Sequence, residues 1–302
     1  MQSRYSPEMF EGIHTVGYAF FDADGRLDRE AMRRQSRACV AGGSHGLVML
    51  GLATEVSKLE PAERRAAVEW AAEDAAGLPL GVTVFGRSPE EQGNAVRHAE
   101  DAGAAWIILQ PPPRPGMPED ELMAFLGPTI DAARVPVGLQ NAPEFMGLGL
   151  SAANMAELSR RHPNLRALKA EGPASLVQQV VERTGGQLAV LNGRGGMELP
   201  DNLRAGCAGM IPAPDCFDVQ VQIYGAMHRG DEGEAERLYA GILPAIVFVM
   251  QGIDHLICYG KRLTAARLGL GDVHDRAPGL LPTPFGLAAV ERFARALGPL
   301  PA

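Results

Sequence analysis

Strand-like and helix-like segments alternate along this chain with a period of about 25 to 30 residues. Each strand candidate is a short run of β-branched and apolar residues that is followed by an amphipathic stretch. Such a regular alternation is typical of repeated β-α units that build a parallel sheet. Eight strand candidates are found, at residues 13–21, 46–51, 81–85, 106–110, 135–140, 165–169, 188–192 and 209–213.

The number of these units favours a closed barrel. Eight strand-helix pairs in the first part of the chain fit a (β/α)8 or TIM barrel better than a doubly wound sheet, since no dinucleotide-binding fingerprint follows the first strand. We therefore predict an α/β protein with a barrel catalytic domain at residues 1–217 and additional C-terminal helices, packed on the barrel, at 218–302. The helical patterns in that extension cover residues 231–250, 254–268 and 284–297.

Composition limits the classes of function. The net charge of −8 and the absence of a block of basic residues argue against binding to nucleic acid or to an anionic membrane. No stretch is apolar enough to span a membrane, and residues 1–7 lack the apolar core of a signal peptide, so we expect a cytoplasmic protein. The four cysteines have no metal-binding spacing and are interpreted as buried and free, and we expect no metal and no cofactor.

Lysine is rare in this chain. The 28 basic residues comprise 25 arginines and only Lys58, Lys169 and Lys261. Lys169 ends the apolar run of the sixth strand candidate, so its amine would project beyond the C-terminal edge of the sheet. Arginine cannot replace lysine as the amine that forms a Schiff base with a carbonyl substrate, and Lys169 is a candidate for that role. The alternative is a structural lysine that pairs with Glu171.

The residues that follow the strands form the candidate active-site rim, because chemistry in a (β/α)8 barrel occurs at the C-terminal ends of the strands. The second strand leads into the segment 51–55, the fifth into Gln140, and the seventh into the glycine-rich segment 192–198. Glu171 lies two residues past Lys169, so its side chain returns to the same face if the strand continues. One amine, the two carboxylates of Glu171 and Glu198 and a glycine-rich turn are predicted to converge.

These elements, in this order and spacing, resemble the pyruvate-dependent class I aldolases, the family of dihydrodipicolinate synthase and N-acetylneuraminate lyase. The resemblance covers nearly the whole chain. It implies that Lys169 is the Schiff-base lysine and that the segment 51–55 binds the substrate carboxylate. The matching elements are residues 24–28, Gly51-x-x-x-Glu55, Asn141-x-Pro143, Leu168-Lys169 and Gly206-x-x-Gly209.

The departures from the family pattern are equally informative. Gln140 stands where the family has a proton-relaying tyrosine, and an amide cannot titrate. The position of the second family tyrosine is occupied by one of the prolines 111–113, and Leu52 and Ala53 replace two residues that carry hydroxyl groups in the family. Phe145 replaces the arginine of the lysine-biosynthetic branch, which argues against a dicarboxylic semialdehyde as the second substrate.

The Lys-x-Glu element with Gln140 looks like the sugar-acid dehydratase branch, particularly the 2-keto-3-deoxy-L-arabonate dehydratases. The resemblance implies that Lys169 forms the imine, Glu171 removes a C3 proton, and Glu198 helps the C4 hydroxyl to leave as water, which gives 2,5-dioxopentanoate. The residues expected to bind this small-molecule substrate are Gly51, Ala53, Thr54, Gln140, Asn192, Gly193 and Ser44.

Two alternatives remain open at this stage. A retro-aldolase would use the same Schiff base but cleave the bond between C3 and C4, releasing pyruvate and an aldehyde. A protein of another class, a catalytically silent barrel that binds a keto acid, would form no productive imine. The resemblance also implies a homo-oligomer, often a tetramer.

Overall fold

The computed structural model describes residues 7–302, so the segment 1–6, in which the sequence lacks a signal-peptide core, lies outside the described residues. Eight parallel strands close into a barrel in chain order, with β8 paired to β1, which confirms the (β/α)8 fold. The strands are β1 Gly12–Val16, β2 Gly46–Met49, β3 Leu80–Val84, β4 Trp106–Leu109, β5 Val137–Asn141, β6 Leu165–Ala170, β7 Ala189–Asn192 and β8 Gly209–Met210.

Helices connect the strands and continue past β8. Some of these helices begin at a side-chain cap; that of the helix Pro89–Asp101 is Ser88, whose hydroxyl accepts a hydrogen bond from the amide of Glu91. The helices are α1 Arg29–Ala41, α2 Pro61–Asp74, α3 Pro89–Asp101, α4 Glu119–Ala132, α5 Pro143–Met146, α6 Ala152–Arg161, α7 Ala174–Thr184, α8 Leu199–Arg204, α9 Phe217–His228, α10 Glu232–Val249, α11 Ile253–His255, α12 Lys261–Leu268 and α13 Pro284–Leu297.

The predicted strands at 13–21 and 209–213 are longer than the observed ones. After β8 the amide of Ile211 still donates to the carbonyl of Asn192, but Pro212 has no N–H with which to continue the ladder. After β1 the amide of Tyr18 donates to the side chain of Gln35 instead of to a neighbouring strand. Apolar runs therefore extend past both strands without extending the sheet.

An aromatic cluster fills the barrel at the N-terminal ends of the strands. Trp106 is buried and meets the rings of Phe10 and His14 edge to face, at centroid distances of 5.2 and 5.8 Å. Gly81 leaves room for the indole, because a Cβ there would lie 2.7 Å from it. Burial lowers the pKa of His14 to about 4. This end of the barrel is packed, so the space for a ligand lies at the other end.

The C-terminal extension packs against the barrel. Arg267 of α12 forms a bidentate pair with Asp218 of α9, at 2.9 and 2.7 Å, and also donates to the carbonyl of Gly298. The predicted helix 284–297 is confirmed as α13. The predicted helix 254–268 is divided, because the segment Leu256–Gly260 between α11 and α12 is π-helical.

The division of the chain at residue 217 stays a prediction, because α9 is both the eighth helix after a barrel strand and the start of the C-terminal helices. Within residues 7–302 no single helix is long and apolar enough to cross a membrane. Taken together, α10 and residues 253–268 reach the necessary length and hydropathy, but the chain bends by 107° between them. The four cysteines are buried and free, as expected, and burial raises the pKa of Cys39 and Cys207 to about 12.

Candidate active site

Lys169 and Glu171 meet at the C-terminal end of β6. Lys169 pairs with Gln140 of β5 and Leu191 of β7, and the amide of Glu171 extends the ladder by donating to the carbonyl of Asn141. The Glu171 side chain therefore returns to the face of Lys169, as predicted. Its Oε1 lies 2.5 Å from the lysine Nζ, and both residues are buried, at 7% and 6% exposure.

This ion pair lies in a small cavity, whose empty space is about 380 Å³ with its open mouth included. Three polar side chains contribute to its wall, namely Lys169, Glu171 and Arg194. The rest of the wall is Gly195 and apolar side chains, which are Val16, Leu52, Ala53, Phe145, Ile211, Ala213, Met250, Ile253 and Leu256. The cavity thus contains one buried ion pair in apolar surroundings.

A larger cavity lies outside the barrel, between α2 and α3, and includes Phe85 and His98 in its wall. It reaches the ends of β2 and β3 at Leu50 and Val84, but it contains neither Lys169 nor Glu171. The position of the lysine and the carboxylate places the candidate active site in the smaller cavity.

Three glutamines form a chain of amides that ends at Glu171. Gln92 donates to the carbonyl of Gln110 at 2.8 Å, and the side chain of Gln110 donates to Oε1 of Gln140 at 2.8 Å. Gln140 Nε2 in turn donates to Glu171 Oε1 at 3.4 Å. Gln140, expected to bind substrate, therefore contacts the carboxylate next to the lysine. The amides orient the carboxylate but cannot titrate.

The turn after β7 fits closely against Glu171. A Cβ at Gly193 would lie 2.6 Å from Glu171 Oε1, so any side chain at this position would displace the carboxylate. Asn192, also expected to bind substrate, instead holds the turn: its Oδ1 accepts from the amide of Gly193, and its Nδ2 donates to Gly172 and to Asn202. Asn192 does not line the cavity.

The segment 51–55, which we call the carboxylate loop, follows β2 and supplies Leu52 and Ala53 to the cavity wall. Gly51 precedes a short 3-10 helix, Leu52–Thr54, whose first amides have no acceptor within the helix. The hydroxyl of Thr54 donates to the carbonyl of Gly17 at 2.7 Å and is buried. Ala53 thus lies where the sequence predicts it, whereas the side chain of Thr54 supports the loop.

Arg194 is a cavity residue that the sequence analysis did not select. Its guanidinium forms an ion pair with Glu198 at 3.2 Å, and its Nε lies 3.6 Å from a carboxylate oxygen of Glu144. Glu198 itself does not line the cavity; its side chain is 40% exposed and also accepts from the amide of Ala174. The structure therefore joins Glu198 to Arg194 and not to Lys169.

Left-handed backbone conformations cluster around the cavity. Of the five non-glycine residues with positive φ in the described chain, Leu50 precedes the carboxylate loop, Glu55 is its last residue, and Arg194 and Glu198 lie in the turn after β7. Such conformations cost free energy and are retained where the surrounding structure requires them, which is often at functional sites. The signal for Arg194 in the sequence is its position between Gly193 and Gly195 in the glycine-rich segment that follows the seventh strand.

The expected role of Ser44 is wrong. Ser44 precedes β2, so it lies at the N-terminal end of the barrel, opposite the cavity. Its hydroxyl is buried and hydrogen-bonded to that of Thr15 at 2.7 Å. A residue that comes before a strand in a parallel barrel cannot reach the end at which the strand finishes.

Comparisons with known proteins identify the family of this chain. The Dihydrodipicolinate synthetase family profile matches residues 9–257. The 4-hydroxy-tetrahydrodipicolinate synthase of Methanosarcina mazei is 28% identical over 283 residues, covering 89% of this chain and 92% of the relative. The enzyme of that name from Methanosphaerula palustris is 30% identical over 243 residues, covering 78% and 82%.

Solved structures match over nearly the full length. A candidate dihydrodipicolinate synthetase from Pseudomonas aeruginosa is 25% identical, with a TM-score of 0.87 over 95% of this chain and 99% of that chain. The dihydrodipicolinate synthase of Thermotoga maritima has a TM-score of 0.88 at 18% identity, over 96% and 99%. This chain belongs to the dihydrodipicolinate synthetase family, whose members are enzymes of the class I aldolase type.

Proposed function

We propose that this protein is a Schiff-base hydro-lyase that dehydrates a 2-keto-3-deoxy acid, and that its substrate is 2-keto-3-deoxy-L-arabonate, converted to 2,5-dioxopentanoate and water. The observation that carries the proposal is the buried contact of 2.5 Å between Lys169 and Glu171 in a small apolar cavity. A lysine amine with a carboxylate beside it is equipped both to form an imine and to move protons around it.

Imine formation requires a neutral amine. Glu171 takes a proton from the Lys169 ammonium, and the free amine attacks the C2 carbonyl of the substrate. The same carboxyl group returns that proton when the C2 oxygen leaves as water. The substrate carboxylate lies against the carboxylate loop, at Leu52 and Ala53, where the family resemblance expects it.

Proton removal from C3 is the second step. In the imine, C3 is bonded to C2, which is bonded to the lysine nitrogen, so a carboxylate in contact with that nitrogen is within reach of C3. Glu171 removes the C3 proton, and the electron pair of the C–H bond moves through C2 to the nitrogen to give an enamine. The C4 hydroxyl proton, which an aldol cleavage would have to remove, is one carbon farther from Glu171.

Loss of water from C4 completes the elimination. Glu171 is the one carboxylate in the described cavity wall, because Glu198 is paired with Arg194 outside it. We therefore assign both transfers to Glu171: the proton taken from C3 is donated to the C4 hydroxyl as the C4–O bond breaks. Glu198 is assigned no proton transfer, because it is paired with Arg194. Tautomerisation of the unsaturated imine and its hydrolysis then release 2,5-dioxopentanoate.

The names of the relatives favour a second candidate, condensation of pyruvate with aspartate semialdehyde by a 4-hydroxy-tetrahydrodipicolinate synthase. The cavity does not suit that reaction. Phe145 occupies the cavity wall at the position of the arginine expected for this substrate, and Gln140 stands at the position of the relay tyrosine. The dehydratase is therefore the better fit.

Product analysis tests the proposal. The enzyme is incubated with 2-keto-3-deoxy-L-arabonate, and the products are followed by proton NMR. The proposal predicts 2,5-dioxopentanoate with all five carbons retained. Pyruvate together with glycolaldehyde would identify a retro-aldolase, and no turnover would favour the keto-acid-binding barrel. The cytoplasmic location expected from the composition and the homo-oligomer, often a tetramer, implied by the resemblance both stay predictions.

A further inference from the structure

One polar side chain of the cavity wall has no assigned task in the reaction. Lys169 and Glu171 are engaged with each other, and Arg194 is the third polar side chain of the wall. Its side chain is 15% exposed, and its Nε is buried without a hydrogen-bond acceptor in residues 7–302. A buried donor without an acceptor costs free energy that a ligand oxygen would recover.

The charge of Arg194 is already compensated. The carboxylates of Glu198 and Glu144 lie 3.2 and 3.6 Å from its guanidinium, so the three side chains together carry a net charge of −1 when ionised. Such a group still offers N–H donors, but it provides no positive field for a second carboxylate of the substrate. It suits a neutral oxygen, such as a hydroxyl or a carbonyl.

The apolar part of the wall limits how many oxygens a substrate can carry. Nine apolar side chains and Gly195 surround the three polar residues. A hydroxyl placed against these side chains would lose its hydrogen bonds to water without gaining a new partner, which costs free energy. The wall therefore opposes long polyhydroxylated sugar acids.

We propose that Arg194 binds a neutral oxygen at the far end of the substrate. The cavity thereby selects a short monocarboxylic 2-keto acid that offers Arg194 one hydroxyl or carbonyl group beyond C3. The inference rests on the proposed imine at Lys169. Arg194 is a specificity-determining residue, and Glu198 positions it.

Imine trapping with acids that cannot lose water from C4 tests this assignment separately from the dehydration. Three probes are compared for the concentration that gives half-maximal borohydride trapping at Lys169. They are 2-oxopentanoate, its 5-hydroxy derivative (with the open-chain form quantified by NMR), and 2-oxoglutarate. Each probe is used with the wild type, Arg194→Met, Arg194→Lys and Arg114→Met. Arg114 is a matched control, because it is exposed in the loop after β4 and does not line the cavity.

In the wild type, the concentration for half-maximal trapping should be on the order of tenfold lower for the 5-hydroxy acid than for 2-oxopentanoate. This is the gain in affinity expected from one hydrogen bond to a charged donor. 2-Oxoglutarate should gain no such advantage. Arg194→Met should abolish the preference while still forming the adduct with 2-oxopentanoate, which shows that the imine at Lys169 survives the substitution. Arg194→Lys should weaken the preference, and Arg114→Met should keep it.

Equal trapping of the 5-hydroxy acid and 2-oxopentanoate by the wild type would overturn the inference. A preference that survives Arg194→Met, or a wild type that traps 2-oxoglutarate best, would overturn it too. All three of these outcomes would leave the imine at Lys169 standing. No adduct with any of the three probes would overturn the proposed function and the inference with it.

Discussion

Lys261 of α12 forms an ion pair with Glu55 of the carboxylate loop, and both side chains are fully buried. Glu55 also accepts a hydrogen bond from Lys58 at 2.7 Å. The C-terminal helices are thus tied to the loop that supplies Leu52 and Ala53 to the cavity. All three lysines of the chain pair with one of two buried glutamates, so scarcity of lysine alone does not single out Lys169; its place in the cavity does.

Glu55→Gln should destabilise the protein strongly. The substitution leaves the buried Lys261 with only the carboxylate of Asp275, at 3.6 Å, and breaking a buried ion pair from one side costs about 3 to 5 kcal/mol. We expect a loss of this size in the free energy of unfolding, measured by urea denaturation at pH 7. Asp24→Asn, which removes an exposed partner of Arg26, is the control and should change little. A Glu55 variant as stable as the control would show that the buried ion pair with Lys261 contributes nothing to the free energy of unfolding.

Asp215 should make stability fall as the pH rises. Burial raises the pKa of its carboxyl from 3.8 to about 7, although the Tyr18 hydroxyl donates to it. The folded state binds the Asp215 proton more tightly than the unfolded state, so the contribution of this group is greatest below pH 3.8 and is lost as the pH rises through about 7. His14, whose pKa is lowered to about 4, acts in the opposite direction.

The comparison with Asp215→Asn isolates this contribution, because the effect of His14 is common to both proteins. The free energy of unfolding of the wild type should fall relative to that of the variant by about 2 kcal/mol between pH 5 and pH 7. Urea denaturation at intervals of half a pH unit measures the difference. A difference that does not vary with pH would show that Asp215 titrates near its ordinary value.

Glu171→Gln should abolish proton transfer but keep the fold. The amide fills the same space and cannot accept the C3 proton, so kcat should fall by about 10²- to 10⁴-fold. Exchange of the C3 protons of bound pyruvate with deuterated solvent should be lost as well, as NMR would detect. Glu198→Gln is the comparison, since Glu198 contacts Arg194; it should keep the exchange and lose less activity. If exchange is lost in Glu198→Gln and kept in Glu171→Gln, then Glu198 and not Glu171 removes the C3 proton.

Condensation of pyruvate with aspartate semialdehyde should be negligible. Phe145 lines the cavity and offers no charge to a second carboxylate, and Arg194 is already paired with Glu198. A coupled assay with both substrates should give a rate far below that of the dehydration. Condensation as fast as the dehydration would mean that this enzyme shares the reaction after which its relatives are named.

Local patterns were enough to place the strands and the Lys169–Glu171 pair. The eight strands follow from apolar runs, and Glu171 follows from Lys169 through the two-residue period of a strand. The same reasoning failed for Ser44, because this residue precedes its strand and therefore lies at the opposite end of the barrel from residues that follow a strand. It also failed to show that Asn192 and Thr54 use their side chains to hold loops.

The remaining cavity wall depends on contacts between distant parts of the chain. Met250, Ile253 and Leu256 come from the C-terminal helices and face a barrel that ends some 40 residues earlier, so no local pattern identifies them. Met250 reaches the cavity because Gly195 has no side chain; a Cβ there would lie 2.5 Å from Met250 Cγ. Such complementarity between a glycine and a distant side chain is a property of the packing.

Intact-protein and peptide mass spectrometry after borohydride reduction in the presence of pyruvate addresses the imine itself. One adduct per chain is expected, on the peptide that contains Lys169. Lys58 and Lys261 should remain unmodified, because both are held by Glu55 outside the cavity. Lys169→Arg should fold and form no adduct, since a guanidinium cannot replace the amine. An adduct on Lys58 or Lys261, or no adduct on the wild type, would contradict the assignment of Lys169 as the Schiff-base lysine.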